Sequence, residues 1–367
     1  MAARPTLSAA MIVRDEERFL DGCLASLVGF VDEIVVVDTG STDRTPEIAR
    51  RHGARLASFE WQGDFAAARN VALDLARGDW ILYIDADERL SGDRAALDAQ
   101  LADPQLVALT VRFRPVSGYT LYREHRLFRR HPQVRFRGVI HESHLPALNE
   151  LAAATGGRIE ESAVLIDHLG YDGDQSHKHP RNLPLLEARL ALDPGHVYSW
   201  WHLGATLDGL GRGDEAVAAW QRGIDVVRGR GISVAFDAQP FLALLAWRAD
   251  RGLENEPLLS EARARFPGMP EVEWFRARAL MATQRFEQAL AVLSPLAAID
   301  ADELVGALAH SQRLFRVLAP EAAGLCAFRL GRYAEAAQWY ATAELAEPTV
   351  ERSTKRRWME ALARRAP

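Results

Sequence analysis

Residues 78–89 read Gly78-Asp79-Trp80-Ile81-Leu82-Tyr83-Ile84-Asp85-Ala86-Asp87-Glu88-Arg89, an apolar run that passes directly into a cluster of carboxylates. Because successive side chains of a strand alternate between its faces, Asp85 and Asp87 project to the same side where the predicted strand ends. Such a pair suits a hard divalent cation, Mg²⁺ or Mn²⁺, and leaves positions open for water or substrate phosphates. The simpler alternative is that these acids only mark the exposed end of a strand.

Three more apolar strands, predicted at 7–13, 33–38 and 54–59, precede this one, and each is followed by a segment of helical periodicity. Strands without polar alternation that are separated by helices predict a parallel sheet covered on both faces, the α/β class. Ligands of such sheets bind beyond the carboxyl ends of the strands. The polar residues that follow these strands should therefore lie close together, which favours a metal site over the simpler alternative. The polar residues at three of these ends are Arg14, Asp15, Glu16, Asp38, Asp85 and Asp87.

The composition limits the remaining possibilities. A chain of 367 residues, 48% of them hydrophobic and 26% charged, is expected to form two globular domains. Its net charge of -6 does not favour nucleic acid as a partner. Two cysteines without a disulfide or zinc spacing indicate a reducing cytoplasm. No apolar run reaches the roughly 20 residues that span a bilayer, and residues 1–13 lack a signal-peptide pattern, so no transmembrane segment is expected.

The helix predicted at 65–77 carries a cation on the stripe that should face the sheet. This residue, Arg69, either covers apolar surface with its methylene groups or extends its guanidinium to a nucleotide diphosphate, which it can bind bidentately. The chain has neither a GxGxxG motif after its first strand nor a GxxxxGKS or GxxxxGKT motif. These absences argue against dinucleotide and Walker-type phosphate sites.

Four segments between residues 7 and 90 together resemble the ordered signatures of family 2 glycosyltransferases, which have the GT-A fold with a Rossmann-like, mostly parallel sheet. The resemblance implies that residues 14–16 and Asp38 hold the nucleoside of a sugar nucleotide. It assigns Asp85 and Asp87 to the ribose and to a metal bound to the diphosphate. The segments are Met11-Ile12-Val13-Arg14-Asp15-Glu16, Val35-Val36-Val37-Asp38-Thr39-Gly40-Ser41-Thr42-Asp43, Ala68-Arg69-Asn70 and Asp85-Ala86-Asp87-Glu88.

Residues 123–142 resemble a segment of bacterial lipopolysaccharide-core and sublancin-type peptide glycosyltransferases, in which an RLFRR run precedes a Phe and then His-Glu. Inverting transfer needs a carboxylate that takes the proton of the acceptor, while a metal neutralises the departing diphosphate. Glu142 is the candidate base. His141 is the alternative base, or it orients the glutamate. A hydrogen-bonded pair that braces a loop is the structural alternative for both.

The same resemblance implies roles for three residues near the end of the α/β part. His168, which ends a predicted strand, resembles the histidine that completes the metal sphere in GT-A enzymes; a structural histidine is the alternative. Lys178 and Arg181 are expected to close over the diphosphate once the donor binds. A disordered linker is the alternative for that stretch.

From residue 183 onward the predicted strands give way to amphipathic helices. Residues 200–223 follow the tetratricopeptide spacing, 331–348 match the second helix of another repeat, and 285–289 match a degenerate third. Because stacked helix pairs bury what one pair cannot, a short curved solenoid is expected. Its role is either to support the catalytic domain, to mediate a homodimer, or to bind an acceptor polypeptide.

The sequence therefore predicts an α/β GT-A domain at 1–177 and an all-α tetratricopeptide-like domain at 178–367. The expected activity is metal-dependent, inverting transfer of a hexose or N-acetylhexosamine from a UDP-sugar to a peptide, protein or glycan. The alternative is a catalytically inactive nucleotide-binding scaffold whose repeats bind proteins. A sugar nucleotidyltransferase is disfavoured because it needs a glycine-rich, basic first loop, which residues 13–16 do not provide. The expected location is the cytoplasm, with peripheral contact at the inner membrane as an alternative.

Overall fold

The structure, a computed structural model, describes residues 4–115, 118–170 and 178–365. The chain forms two compact units, Met1–Ser117 with Tyr122–Pro194 and Gly118–Leu121 with Gly195–Pro367. The predicted domain boundary after residue 177 borders a segment outside the described residues, and it stays a prediction.

The first unit is built on eight strands, which are β1 Leu7–Val13, β2 Glu33–Asp38, β3 Arg55–Ser58, β4 Trp80–Tyr83, β5 Glu88–Ser91, β6 Leu106–Pro115, β7 Leu121–Arg129 and β8 Arg158–His168. They follow the order β3-β2-β1-β4-β7-β6-β8-β5 across the sheet. The first four strands are parallel, as the alternation of strands and helices predicts. β7 is antiparallel to β4 and β6, and β8 is parallel to β6 and antiparallel to β5. The predicted α/β class is confirmed.

Helices cover both faces of this sheet, and they are α1 Leu20–Leu27, α2 Thr45–Arg51, α3 Phe65–Leu75, α4 Arg94–Leu101 and α5 Leu145–Thr155. The sixth helix of this unit among the described residues is α6 His179–Leu192. Alternation along β4 sends Trp80 and Leu82 into one core, with the buried residues of α1 and α4. Ile81 points to the opposite core, with the buried residues of α3 and α5. Because β4 is buried on both faces, its sequence is continuously apolar.

The sequence patterns did not predict three elements of the first unit, which are β5, β7 and α5. Residues 121–129 read as a basic run, which would ordinarily indicate a solvated face. They form β7 instead, between β4 and β6 in the sheet. Partners remote in sequence hold its arginines, such as Glu88 for Arg126, so the charges of the run did not indicate burial.

The second unit is mainly helical, with α7 Val197–Gly209, α8 Gly213–Arg228, α9 Gln239–Asp250, α10 Glu256–Arg265, α11 Pro270–Ala282, α12 Phe286–Ala297, the two-residue strand β9 Val305–Gly306, α13 Ala319–Arg329, α14 Tyr333–Ala346 and α15 Val350–Ala363. The pattern at 200–223 forms α7 and α8. A Cβ added at Gly204 would overlap the Trp220 indole, so the glycine allows the two helices to approach closely. None of the described helices is long and apolar enough to cross a membrane.

Candidate active site

The register of the parallel strands brings the predicted polar loops to one edge of the sheet. Val13 pairs with Asp38, and Ala10 pairs with Tyr83, so β1, β2 and β4 end close together. The carboxyl ends of these three strands therefore lead into the loops that begin at Arg14, at Thr39 and at Ile84. This is the arrangement in which open α/β sheets bind ligands.

Hydrogen bonds tie the first two of these loops to each other. Asp38 Oδ1 accepts from the backbone N–H of Ser41 at 3.1 Å and from its hydroxyl at 2.5 Å. The Ser41 hydroxyl in turn accepts from the Asp15 N–H at 2.9 Å, and Asp15 Oδ1 accepts from the Thr42 N–H at 2.7 Å. Asp15 adopts a φ of 55°, in the left-handed region. Asp15 and Asp38 thus shape these loops, while the Arg14 side chain is exposed.

Glu16 lies close to the third loop. Burial, followed by the negative charges of Asp87 and Asp85, raises the pKa of Glu16 to about 7. Lys178 acts in the opposite direction, so it also lies near this carboxyl. The structure thus gathers four predicted site residues from separate parts of the chain.

Asp87 faces His168. Their atoms Oδ2 and Nε2 are 3.2 Å apart, and the β5–β8 ladder, which pairs Glu88 with His168, sets this distance. The Leu169 N–H donates to the Asp87 carbonyl oxygen at 2.8 Å. A Cβ added at Gly170 would lie 2.7 Å from the Asp87 carboxyl carbon, so only glycine fits beside this carboxylate without a shift.

Asp85 lies between two arginines. Arg69 Nη2 donates to its Oδ1 at 2.9 Å, and Arg126 Nη1 lies 3.7 Å from its Oδ2. Burial alone would raise the pKa of Asp85, but the positive charges of Arg69 and Arg126 outweigh burial and lower it. Asp85 is therefore a carboxylate with its charge balanced by the protein.

Arg69 also holds the candidate base. Its Nε donates to Glu142 Oε1 at 2.6 Å, and both side chains are 12% exposed. Glu142 lies in a tight loop closed by the bridge between Arg137 and Ser143. The neighbouring His141 occupies the left-handed region with a φ of 51°. The guanidinium of Arg69 joins Asp85 to Glu142, and its contact with a nucleotide diphosphate stays a prediction.

Asn70, the residue after Arg69, anchors the segment that leads into this loop. Its Nδ2 donates to the Phe136 carbonyl oxygen at 3.0 Å, and its Oδ1 accepts from the Phe136 N–H at 2.9 Å. An amide side chain that satisfies both backbone groups acts as a short strand partner. The Ala68-Arg69-Asn70 motif thus fixes α3 to the Glu142 loop through two adjacent residues.

Arg181, on α6, lies near the first residue of α3. Its guanidinium carbon is 5.9 Å from the centroid of the Phe65 ring. Burial and the positive charge of Arg14 lower the pKa of Arg181, so the two cations lie close enough to repel each other. Neighbouring arginines of this kind suit an anionic ligand that neutralises both.

Sequence reasoning missed Arg126 and Glu88. Arg126 is only 5% exposed, and its Nη2 donates to the buried Glu88 Oε1 at 2.8 Å. Two later arginines of the run bond to backbone carbonyls: Arg129 donates to Leu106 and Arg130 donates to Gly78. The one available signal was the alternation of Arg126 with the apolar Leu127 and Phe128.

The residues at this edge fit a divalent cation with two protein ligands. Asp87 and His168 could supply a carboxylate oxygen and an imidazole nitrogen, which lie 3.2 Å apart, and the absence of a side chain at Gly170 makes space for the Asp87 carboxylate. Within residues 4–115, 118–170 and 178–365, no group of three His, Cys, Asp or Glu side chains is arranged to hold a metal. The remaining ligands would be water and substrate oxygens, as for Mg²⁺ at phosphate-transfer sites.

Comparison with known proteins agrees with this architecture. The family model described as glycosyl transferase family 2 matches residues 8–151, and a tetratricopeptide repeat model matches residues 254–310. The lipopolysaccharide core biosynthesis glycosyltransferase LpsC of Rhizobium meliloti is 31% identical over 46% of this chain and 67% of its own length. The mostly parallel sheet and the match to the family 2 model agree with the predicted GT-A fold. The chain belongs to glycosyl transferase family 2, which confirms the resemblance.

Two further relatives share more of the sequence. The SPbeta prophage-derived glycosyltransferase SunS of Bacillus subtilis is 26% identical over 76% of this chain and 67% of its own length. A TPR repeat-containing protein of Synechococcus elongatus is 42% identical over 56% of this chain. The chain spans about half (53%) of the length of that relative. Among solved structures, Staphylococcus aureus TarS 1–349 has a TM-score of 0.38 and 16% identity, over 67% of this chain and 92% of that one.

Proposed function

We propose that this protein transfers a hexose or N-acetylhexosamine from a nucleoside diphosphate sugar, a UDP-sugar, to an acceptor with inversion at the sugar carbon. The observation that carries the proposal is the Asp87–His168 pair, with Glu16 and Lys178 beside its loop and Arg14 and Arg181 nearby. A metal site flanked by cations matches the charge of a metal-bound diphosphate. Family membership supports the same reaction class.

The position of each residue indicates its role in the proposed reaction. Asp87 and His168 would hold Mn²⁺ or Mg²⁺, with Asp85 beside them, and this ion would supply positive charge to the departing diphosphate. Residues 14–16 and Asp38 would hold the nucleoside. Lys178 and Arg181 would contact the diphosphate. Arg69 has a buried Nη1 without a hydrogen bond to any described residue, which leaves one donor for a substrate oxygen.

Glu142 is the base in this proposal, because Arg69 holds it in a fixed position relative to Asp85. General base catalysis requires the carboxylate to lie within hydrogen-bonding reach of the acceptor. His141, adjacent in the same tight loop, is the alternative base. Replacing Glu142 with Gln and His141 with Ala separately, and comparing turnover with UDP binding, distinguishes them: loss of turnover with intact binding identifies the base.

The acceptor is proposed to be a peptide, a protein or a glycan in the cytoplasm. A tetratricopeptide match supports a polypeptide held by the helical repeats, since stacked repeats form extended binding surfaces. The name of LpsC, which refers to a lipopolysaccharide core, supports a glycan. An array of peptides and core oligosaccharides, incubated with a labelled UDP-sugar, separates the two classes.

The test of the donor site is calorimetric titration of the full chain with UDP, with and without Mn²⁺. We expect binding that Mn²⁺ strengthens and that Asp87→Ala abolishes, because this substitution removes one of two protein ligands. Asp74→Ala is the matched control, since Asp74 is exposed and pairs with Arg135. No binding of UDP, GDP, ADP or CDP by the unsubstituted protein would refute the transferase. Metal-dependent UDP binding without turnover of any UDP-sugar or acceptor would favour the nucleotide-binding scaffold.

A further inference from the structure

Arg126 is a buried cation that no part of the proposed reaction uses directly. Its three guanidinium nitrogens face three different carboxylates. Nε donates to Glu124 Oε2 at 2.5 Å, Nη2 donates to Glu88 Oε1 at 2.8 Å, and Nη1 lies 3.7 Å from Asp85 Oδ2. The guanidinium also lies over the Tyr83 ring, 4.3 Å from its centroid.

These contacts fix the loop that carries Asp85 and Asp87 at two points. Through Nη1, Arg126 faces the Asp85 carboxylate. Through Glu88 it reaches the Asp85 backbone, because Glu88 Oε2 accepts from the Asp85 N–H at 2.9 Å. A single side chain thus constrains both the main chain and the side chain of the residue two positions before Asp87.

The same contacts continue to the other side of Asp85. Arg69 donates to the second Asp85 oxygen and to Glu142. The result is an alternating series of charges, which runs Glu124, Arg126, Asp85, Arg69, Glu142. Its members come from β7, the loop after β4, α3 and the loop before α5. No local sequence pattern links them, and each holds its neighbour in place.

Burial restricts which side chains can replace the members of this series. A guanidinium withdrawn from water needs hydrogen-bond acceptors within the protein. Nε and Nη2 of Arg126 bond to Glu124 and Glu88, while Nη1 has no hydrogen bond to a described residue and lies 3.7 Å from Asp85 Oδ2. Lysine would keep the charge but would offer one donor group in place of three. The geometry around Arg126, and not only its charge, is therefore needed to hold Asp85.

We propose that Arg126 is a positioning residue of the donor site, which acts through Asp85 and Glu88 to set the loop that presents Asp87 to the metal. The inference rests on the proposed function. It adds a residue from β7, in the middle of the sheet, to the residues that form the site. In this proposal Arg126 acts on the geometry of the metal loop, through Asp85 and Glu88.

The test compares Arg126→Lys with Arg123→Lys by UDP titration. Arg123 is on the same strand and pairs with Glu161 and the Ser162 carbonyl oxygen, outside the charge series. The measured quantity is the ratio of UDP dissociation constants without and with Mn²⁺, at a temperature where melting curves show each variant folded. A general loss of fold lowers affinity in both conditions, whereas a misplaced Asp87 lowers the ratio.

We expect Arg126→Lys to reduce this ratio by about tenfold, as outer residues of metal sites commonly do, and Arg123→Lys to leave it unchanged. If Arg126→Lys does not fold, Glu124→Gln replaces it: the glutamine keeps the size of Glu124 but weakens the bond to Arg126 Nε, and a smaller drop in the ratio is expected. An unchanged ratio in a folded Arg126→Lys or Glu124→Gln protein overturns the inference alone. Absence of UDP binding by the unsubstituted protein overturns the proposed function, and the inference with it.

Discussion

Charged side chains crowd two regions of the molecule, the carboxyl edge of the sheet in the first unit and the last helix of the second. At the sheet edge, ion pairs join residues far apart in sequence, such as Arg69 with Glu142 and Arg126 with Glu88. On α15, Lys355 pairs with Glu351 and Arg356 with Glu360, four residues away in each case. Ion pairs at the sheet edge are thus mainly tertiary, whereas α15 combines these local pairs with tertiary ones, such as Lys355 with Glu321.

The burial of an ion pair determines how much the pair contributes to stability and function. Glu88 is 1% exposed, whereas Glu351 is 75% exposed. A buried pair that loses one partner leaves an uncompensated charge and costs about 3–5 kcal/mol, while an exposed pair contributes about 0–1 kcal/mol. Substitutions at the sheet edge should therefore change binding and folding strongly, and substitutions in the exposed pairs of α15 should change little. Arg352, which is buried and pairs with Glu321, is the exception on that helix.

The largest effect is expected at Gly170, which belongs to the sheet edge. In Gly170→Ala the new Cβ would overlap the Asp87 carboxylate, so the carboxylate or the backbone must move. We expect UDP affinity in the presence of Mn²⁺ to fall by about tenfold or more, in line with displaced metal ligands. Calorimetric titration measures this.

Gly231→Ala is the control for Gly170→Ala. No atom lies within 4 Å of the Cβ that the substitution would add at Gly231, and its backbone is not in the left-handed region. It should bind UDP as the unsubstituted protein does. Equal UDP affinity of Gly170→Ala and Gly231→Ala would show that Asp87 tolerates displacement. The two charged regions would then differ in burial but not in their importance for binding.

A smaller effect is expected from Glu16, whose pKa rises from 4.5 to about 7 on folding, through burial and then through Asp87 and Asp85. A carboxyl with a raised folded pKa contributes stability that is present below the unfolded pKa and is lost as the pH rises through the folded pKa. Glu16→Gln cannot ionise. Without nucleotide or metal, it should melt a few degrees above the unsubstituted protein at pH 8.

The difference between the two proteins should shrink as the pH falls from about 7 to below 4.5, because Glu16 is then protonated in both the folded and the unfolded chain. Scanning calorimetry across this range is the measurement. Glu47→Gln is a suitable comparison, since Glu47 is exposed and pairs locally with Arg44. A melting difference for Glu16→Gln that stays constant between pH 4 and 8 would contradict an acidic environment at the sheet edge.

Much of the first unit was predictable because its decisive signals are local. Continuous apolar runs predict β1, β2 and β4 correctly, since a strand buried on both faces needs no polar alternation. Parallel order then brings the ends of these strands to one edge, which predicts that the loops at residues 14–16, 38 and 85–87 meet. Small residues at close helix crossings, such as Gly204, make the repeats of the second unit recognisable.

The pairings within the site were not predictable, because they join residues without a local relationship. Nothing near Arg126 indicates that Glu88 and Asp85 neutralise it, and β7 therefore resembles an exposed basic segment. Arg69 and Glu142, 73 residues apart, are linked only through the tertiary structure. Sequence thus predicts where the site lies, while the contacts among its charges depend on side-chain packing.

The smallest effect is expected on α15, where the basic residues also suggested weak contact with a membrane surface. Arg356 donates to Glu344 at 2.7 Å and to Glu360 at 2.6 Å, and its side chain is 30% exposed. Because water screens both pairs, Arg356→Ala should change the free energy of unfolding only slightly and leave UDP binding unchanged. Its carboxylate neighbours also offset its charge, so affinity for anionic vesicles should not change. A large decrease in the free energy of unfolding measured with urea, or a loss of vesicle binding, would show that Arg356 is as important to the protein as the buried arginines of the sheet edge.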